Sequence, residues 1–171
     1  DNSKSIQSCV FSIGSTGGAS HQTSTEFNVG IVNIPRVKGK DLKCISQGPS
    51  LVMFDQNNDE KQKMTWLFVK SILEPEYQAS FSRASGYMPV RKSALEIPAY
   101  KQWLEEAEDN KDIIAQTSKV ASTLVANYFT SPAFRGSSKA RTQINAALVA
   151  AISGTKTIDE ALQDAFDECN F

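Results

Sequence analysis

The sequence predicts an α/β fold, with strands in the first third of the chain and helices in most of the rest. Residues 9–13 and 28–34 are rich in β-branched and aromatic side chains, and Gly14 and Pro35, which typically end strands, follow them. From Asn58 onward the apolar residues recur every three or four positions, which is the period of an amphipathic helix. Because 171 residues are enough to bury a core, we expect one domain or two small lobes.

A third strand and a series of helices complete the predicted elements. The strand covers residues 44–46 and 50–54, with a break at Gly48 and Pro49. Capping residues and prolines indicate where helices begin, and Gly154 indicates where one of them ends. The predicted helix starts are Asn58 or Asp59, Pro75, Pro98, Asn110, Ser137 or Ser138, and Thr157 with Glu160 as a capping box.

The apolar residues of these helices predict which faces are buried. We expect Trp66 and Trp103 to pack in the core with their apolar neighbours instead of stacking on a ligand. The other residues expected on buried faces include Met64, Leu67, Phe68 and Ile72 in the first long helix, Ile144, Ala147, Leu148, Ala151 and Ile152 in the penultimate helix, and Ile158, Ala161, Leu162, Ala165 and Phe166 in the last.

Composition and charge exclude several classes of protein. The net charge is −1 and the basic residues form no stripe, so we expect no nucleic-acid partner. The longest strongly apolar run, residues 51–54, is far shorter than the roughly 20 residues of a membrane span. Cys9, Cys44 and Cys169 lack metal-site spacing, and we expect three buried thiols, although one pair could form a disulfide. The chain starts at Asp1 instead of Met, which predicts a processed, truncated or excised polypeptide.

Catalytic motifs are missing or have simpler explanations, so we expect a binding protein and not an enzyme. His21 is the only histidine, which excludes a histidine-based metal cluster. Ser153 and Lys156 have Ser-x-x-Lys spacing, but they lie at a predicted helix end, where Gly154 and a lysine are typical of capping. No phosphate-loop or dinucleotide-binding pattern occurs, and we expect no cofactor.

Six segments, taken in order, form a pattern that extends over nearly the whole chain. They are the glycine- and serine-rich loop 12–20, the strand 27–35 ending in proline, the turn and strand 47–54, the helix 60–72 with its Pro-Glu restart, the segment 85–94 (Ser-Gly-Tyr-Met-Pro-Val-Arg-Lys-Ser-Ala), and the closing segments 133–141 and 154–162. In this order they resemble the extracellular solute-binding proteins that supply sugars and glycerol-3-phosphate-type ligands to ABC importers. By family length, the resemblance corresponds to the second half of such a protein.

The resemblance implies a two-lobed, periplasmic-binding-protein-like fold (type II), of which this chain would form the C-terminal half. Residues 1–37 and 109–171 would belong to one lobe and residues 38–108 to the other, with the ligand in the cleft between them. The resemblance further implies an extracytoplasmic location, in the periplasm or as a cell-surface lipoprotein. It also implies docking on the transmembrane subunits of the importer, and we expect the protein to be a monomer.

A glycine- and serine-rich loop and an aromatic residue supply the first candidate ligand contacts. Small residues in the loop let backbone N–H groups point outward, and Ser15, Thr16 and Gly17 are the expected contacts with a hydroxyl or phosphate group. Gly86 permits a sharp reversal of the chain, after which the Tyr87 ring can stack on a sugar or donate its hydroxyl hydrogen. An ordinary strand-to-helix turn and a tyrosine packed in the core are the structural alternatives.

Gly48, Ser50 and Arg135 complete the candidate site. The resemblance places Gly48 and Ser50 at the cleft wall, where a missing side chain allows close approach of the backbone, although a bulge would also explain the glycine. Arg135 precedes a predicted helix start, and its guanidinium can form paired hydrogen bonds to phosphate or to neighbouring hydroxyls. Arg141 is a weaker candidate, and a solvated surface arginine is the alternative for both.

Three functions are compatible with these residues. The first is capture of a carbohydrate or related polyol for an importer, and the second is capture of glycerol-3-phosphate or its diesters on the same scaffold. Convergence of the glycine-rich loop and Arg135 on one point would favour the anion, and a dominance of aromatic side chains would favour the neutral sugar. The third function, of a different class, is a helical interaction module without a small ligand. Divergent directions of Ser15, Tyr87 and Arg135 would favour that module.

Overall fold

The computed structural model describes residues 10–55 and 57–169. The chain divides into two compact units, Asp1–Phe129 and Thr130–Phe171. The helices are α1 (Asp59–Ile72), α2 (Pro75–Ser85), α3 (Pro98–Glu105), α4 (Ile113–Thr123), α5 (Ser137–Ile152) and α6 (Ile158–Cys169), with 3₁₀ helices at Thr16–His21, Lys92–Glu96 and Val125–Asn127. We call the 3₁₀ helix Thr16–His21 the loop helix. This helix-rich chain is consistent with part of a periplasmic-binding-protein-like fold.

Helices α1 and α2 begin and end where capping chemistry predicts. The side chain of Asn58 accepts a hydrogen bond from the Lys61 backbone N–H (3.0 Å) at the start of α1. Pro75 occupies the first turn of α2, where its missing N–H removes no helical hydrogen bond. Gly86 ends α2 in the left-handed region (φ 78°), which a residue without a side chain adopts at little cost. These predicted boundaries are therefore confirmed.

Two of the predicted caps are wrong. Asp112, and not Asn110, caps α4, because its carboxylate accepts a hydrogen bond from a first-turn backbone N–H (3.0 Å). Gly136 (φ 92°) takes the capping position before α5, and Ser137 and Ser138 lie inside the helix. The sequence offers several capping residues at both places, and only the local backbone conformation selects among them.

The β structure of the described residues is one short parallel pair, β1 (Cys44–Ile45) with β2 (Tyr128–Phe129). The other segments predicted as strands, residues 10–13, 28–34 and 50–54, form no ladder within the described chain. Cys9 lies outside the described residues. Apolar sequence favours an extended backbone, but a ladder also needs a neighbouring strand to accept and donate the hydrogen bonds. The prediction of strands at these positions is therefore wrong for this chain.

The core of the first unit lies where α2, α3 and α4 meet. Tyr100 of α3 is 1% exposed, and its hydroxyl shares a 2.8 Å hydrogen bond with the hydroxyl of Ser82 in α2. Ser118 of α4 is also fully buried. Burial raises the pKa of Tyr100, because a phenolate would lose its hydration there. Trp103 is half-buried, which is less than expected of a core residue, and packs on Tyr100 with ring centroids 5.3 Å apart. The loop helix, in which Ala19 is buried, packs against α4.

Helix α1, all of whose residues are described, has no buried residue although its sequence is apolar at many positions. Trp66 is 51% exposed and Phe68 is 61% exposed, and Met64 and Leu67 are also at the surface. The expectation that these side chains form a core is wrong for this chain. The apolar period identifies a face that requires burial, whereas burial itself requires a second element against that face.

The second unit consists of α5 and α6, which pack through Ala147, Ala161 and Ala165. Thr157 and Glu160 form the predicted capping box: the Glu160 carboxylate accepts from the Thr157 backbone N–H (2.9 Å), and the Thr157 hydroxyl accepts from the Glu160 N–H (3.3 Å). The bonds from Thr157 hold the pKa of Glu160 below its ordinary value. The larger apolar residues, contrary to expectation, are exposed: Ile144, Leu148, Ile152, Ile158, Leu162 and Phe166.

Candidate ligand-binding site

Gly86 brings the end of α2 against the loop helix. It is buried, and a Cβ atom placed on it would stand 2.5 Å from the Thr16 carbonyl oxygen and 3.6 Å from the Ala19 Cβ. Because the first distance is much shorter than a van der Waals contact, only glycine permits this approach. The glycine-rich loop and the segment that follows α2 therefore lie side by side.

The Tyr87 ring lies against the loop helix and close to Gly48. A Cβ atom on Gly17 would stand 2.6 Å from Tyr87 Cζ and 3.0 Å from its hydroxyl oxygen. A Cβ atom on Gly48 would stand 3.9 Å from Tyr87 Cε1, which is an ordinary contact distance. Three separate stretches of the chain thus meet at one ring. Since Tyr87 is 37% exposed, part of its surface is accessible to a ligand.

Phe81 and several hydroxyl groups belong to the same stretches as the Tyr87 ring. The Phe81 and Tyr87 rings stack with centroids 6.4 Å apart and an angle of 19° between their planes. The backbone N–H of Tyr87 donates to the hydroxyl oxygen of Ser85 (3.3 Å). Ser15 is exposed and Thr16 is half-buried in the loop that faces the ring. An aromatic surface with hydroxyl groups in its neighbourhood suits a small polar ligand with a hydrocarbon frame.

Gln78 of α2 is a residue near this site that no sequence pattern marks. Its side-chain oxygen accepts a hydrogen bond from the Val90 backbone N–H (3.0 Å), and its side-chain nitrogen donates to the Ile72 carbonyl oxygen (2.6 Å). It therefore ties down the segment that follows Tyr87. Both partners are backbone groups from other elements, so only the folded structure reveals the bridge.

The remaining predicted site residues are Ser50 and Arg135. Ser50 is exposed in a segment without regular secondary structure, two residues beyond Gly48. Arg135 is exposed and belongs to the second unit, where it directly precedes Gly136 at the start of α5. Arg141, inside α5, is exposed as well. Contact of these residues with a ligand stays a prediction, as it does for the residues around Tyr87.

Thiols and charged groups add no metal site to the described residues: no group of His, Cys, Asp and Glu side chains there is arranged to hold an ion. Cys44 and Cys169 are half-buried free thiols, so they are less buried than expected, and Cys9 lies outside the described range. The ion pair between Lys101 and Glu96 (2.5 Å) is at the surface. Over the described range, no helix is both long and apolar enough to cross a membrane.

Comparison with known proteins identifies the family. The sequence profile described as bacterial extracellular solute-binding protein matches residues 7–108, which include the loop helix, Gly48 and Tyr87. The sn-glycerol-3-phosphate-binding periplasmic protein UgpB of Rhizobium meliloti (strain 1021) is 33% identical over 89 residues, or 52% of this chain and 21% of that protein. The chain thus spans about a fifth of the length of this relative, and no solved structure matches it. Because the profile covers more than half of the sequence, the chain belongs to the bacterial extracellular solute-binding proteins.

Proposed function

We propose that the chain is part of the substrate-binding component of an ABC importer, which captures a small polar solute outside the cytoplasmic membrane and delivers it to the transmembrane subunits. Membership of the family supports this role. The observation that carries it is the Tyr87 ring against Gly17 and near Gly48, because three stretches of chain there present an accessible aromatic group beside backbone and hydroxyl groups. The solute is bound and released without chemical change.

Within this role, sn-glycerol-3-phosphate or one of its diesters is the ligand class that the observations support best. A relative that is 33% identical over the matched region is named for binding sn-glycerol-3-phosphate. A phosphoryl group accepts hydrogen bonds from hydroxyls such as those of Ser15, Thr16 and Tyr87. A contact of a phosphoryl group with the Arg135 guanidinium, through paired, charge-assisted hydrogen bonds, is a separate proposal.

A neutral carbohydrate or polyol is the second candidate ligand. The stacking of Phe81 with Tyr87, at a centroid distance of 6.4 Å, creates an aromatic surface at the position where the glycine-rich loop meets α2. The apolar face of a sugar ring packs well on such a surface, and its hydroxyls can bond to the Tyr87 hydroxyl.

We further propose that the remainder of a longer solute-binding protein completes the cleft. Two observations support this: the chain spans about a fifth of its relative, and the apolar side chains of α1 are exposed. In this arrangement residues 1–37 and 109–171 belong to one lobe and residues 38–108 to the other. The loop helix packs against α4 of the same proposed lobe, and α4 also packs against α2 and α3 of the other proposed lobe.

A thermal-shift screen of the full-length protein tests the ligand class. The compounds are sn-glycerol-3-phosphate, a glycerophosphodiester, maltose and a simple hexose. A ligand at a hundredfold excess over its dissociation constant stabilises the folded state by about 2.7 kcal/mol, which raises the melting temperature measurably. A shift with the phosphate compounds alone supports the first ligand class, and a shift with the sugars alone supports the second. No shift with any compound contradicts the proposal and favours an interaction module.

Substitution of Arg135 tests its proposed contact with the phosphoryl group. Arg135→Ala should weaken binding of sn-glycerol-3-phosphate by about 2–4 kcal/mol if the guanidinium and phosphate form a desolvated pair. Arg36→Ala is the matched control, because Arg36 is also an exposed arginine and is not a candidate ligand contact. Equal affinities of the two variants, measured by calorimetric titration, would remove Arg135 from the site.

A further inference from the structure

We infer that Gln78 is a positioning residue for the ligand-contacting segment 87–90, which it holds in place so that the Tyr87 ring lies against the loop helix. This inference rests on the proposed function, since it assumes that the ring contacts the solute. Gln78 itself is placed at the opposite end of the segment from the ring, so its effect on a ligand is exerted through Tyr87.

The bridge made by Gln78 joins two elements that are separate in the chain. The side-chain oxygen accepts from the Val90 N–H (3.0 Å), and the side-chain nitrogen donates to the Ile72 carbonyl oxygen (2.6 Å) in the last turn of α1. Gln78 lies on α2, which the Val90 segment follows, and its side chain is half-buried. One planar amide therefore connects α1, α2 and the segment after α2.

A primary amide can make both of these hydrogen bonds at once. The Val90 N–H needs an acceptor and the Ile72 carbonyl needs a donor, and an amide offers one of each at its end. A carboxylate retains the acceptor but would place a second oxygen opposite the carbonyl, and a thioether supplies neither a donor nor a good acceptor. The two substitutions Gln78→Glu and Gln78→Met thus remove one or both halves of the bridge.

The segment is also fixed at its two ends. Gly86 anchors the first end, because its backbone lies so close to Thr16 that no side chain fits between them. At the other end, the Arg91 guanidinium donates to the Leu73 carbonyl oxygen (3.1 Å). Next to Arg91, the Gln78–Val90 bond holds the last residue of the segment. The segment is held before any ligand arrives, so the ordering cost on binding is low.

The closing experiment compares Gln78→Met and Gln78→Glu with wild type in the full-length protein. Gln102→Met is the matched control, because Gln102 is a glutamine on α3 whose amide bonds only to the exposed Glu106 among the contacts observed for it. Without ligand, hydrogen exchange of the Val90 amide should accelerate about tenfold in Gln78→Met and remain unchanged in the control. With ligand, the dissociation constant for sn-glycerol-3-phosphate should rise about five- to tenfold in Gln78→Met.

A double-mutant cycle with Tyr87→Ala separates positioning from general destabilisation. If Gln78 acts through the ring, Gln78→Met should weaken binding little further once Tyr87 is replaced, because coupled residues have non-additive effects. NMR titration at high ligand concentration keeps the weak affinity of the Tyr87→Ala background measurable. Additive losses, or an unchanged rate of Val90 exchange, would overturn the inference.

The result for wild type distinguishes this inference from the proposed function. If wild type binds sn-glycerol-3-phosphate or maltose and the Gln78 variants bind equally well, only the positioning role is wrong. If wild type binds none of the phosphate compounds or sugars, the proposed function is wrong, and the role of Gln78 in ligand binding is wrong with it.

Discussion

Two regions of the first unit are both rich in apolar residues but differ in burial. Where α2, α3 and α4 meet, Tyr100 is 1% exposed and bonded to a buried hydroxyl, whereas no residue of α1 is buried. The stretch 50–54, which has no regular secondary structure, resembles α1 in burial, since Leu51 and Phe54 are exposed there. An apolar sequence thus identifies a surface that has to pack against another element. The two regions differ in whether the described part of this chain provides such an element.

The buried region is the one that supports the candidate site. The loop helix packs on α4, and Gly86 at the end of α2 lies against Thr16. The contact between Tyr87 and Gly17 therefore depends on helices that are packed within the chain itself. Under the proposed function, burial of the apolar residues of α1 and of residues 50–54 depends instead on the rest of the protein.

The largest expected effect comes from removing the central side chain of the buried region. Tyr100→Ala should reduce the free energy of unfolding by about 3–5 kcal/mol, since it leaves a cavity and an unpaired Ser82 hydroxyl. Tyr77→Ala is the control, because Tyr77 is an exposed tyrosine of α2. Denaturant unfolding measures the free energy of unfolding of both variants and of wild type. A similar, small loss in the two variants would contradict the burial of Tyr100 between α2, α3 and α4.

A second prediction concerns the contact between the buried helices and the loop. Gly39 and Gly86 both have positive φ (80° and 78°), but only the latter has a neighbour within 4 Å of an added Cβ. Gly39→Ala should lower the free energy of unfolding by about 1–2 kcal/mol, because of backbone strain alone. Gly86→Ala should cost about 1–3 kcal/mol more, because the Cβ would displace the Thr16 carbonyl. Equal losses in thermal unfolding would show that the loop does not lie against Gly86.

A third prediction follows from the raised pKa of Tyr100. The contribution of the Tyr100 hydroxyl to the free energy of unfolding is complete below about pH 10, the pKa of tyrosine in the unfolded chain. It is lost as the pH rises through the higher pKa that this hydroxyl has in the folded state. The free energy of unfolding should therefore fall above about pH 10, with a shallower fall in Tyr100→Phe. Burial also raises the pKa of Tyr128, so part of the slope should persist in that variant. Identical slopes for wild type and variant would contradict the burial of the Tyr100 hydroxyl.

The smallest expected effect is in α1. Phe68 is 61% exposed, so Phe68→Ser should change the free energy of unfolding of the 171-residue chain by no more than about 0.5 kcal/mol. Under the proposed function, the same substitution should cost more in the full-length protein, where further structure covers this face. An equally small loss of unfolding free energy in the 171-residue chain and in the full-length protein would contradict the proposal that further structure packs on this face of α1.

The sequence predicts local features, such as helix caps, better than it predicts which elements pack against each other. Asn58 and Gly86 were identifiable because capping is determined within one turn of helix. Burial of Trp66 was wrongly predicted, since apolar periodicity does not specify what lies opposite. The cluster of Gly17, Gly48 and Tyr87 was identifiable as candidate residues, but their contact required the fold. Gln78 was not identifiable, because it bonds to backbone groups that carry no sequence signature.

Calorimetric titration of the full-length protein with sn-glycerol-3-phosphate tests the account most directly when wild type is compared with two glycine variants. An added Cβ on Gly17 would stand 2.6 Å from the Tyr87 ring, whereas one on Gly18 meets nothing within 4 Å. The account predicts that wild type and Gly18→Ala bind with equal affinity. Gly17→Ala, in which the added Cβ displaces the Tyr87 ring, should bind about tenfold more weakly. Equal affinity in all three proteins, or no binding by wild type, would contradict a solute site at Tyr87.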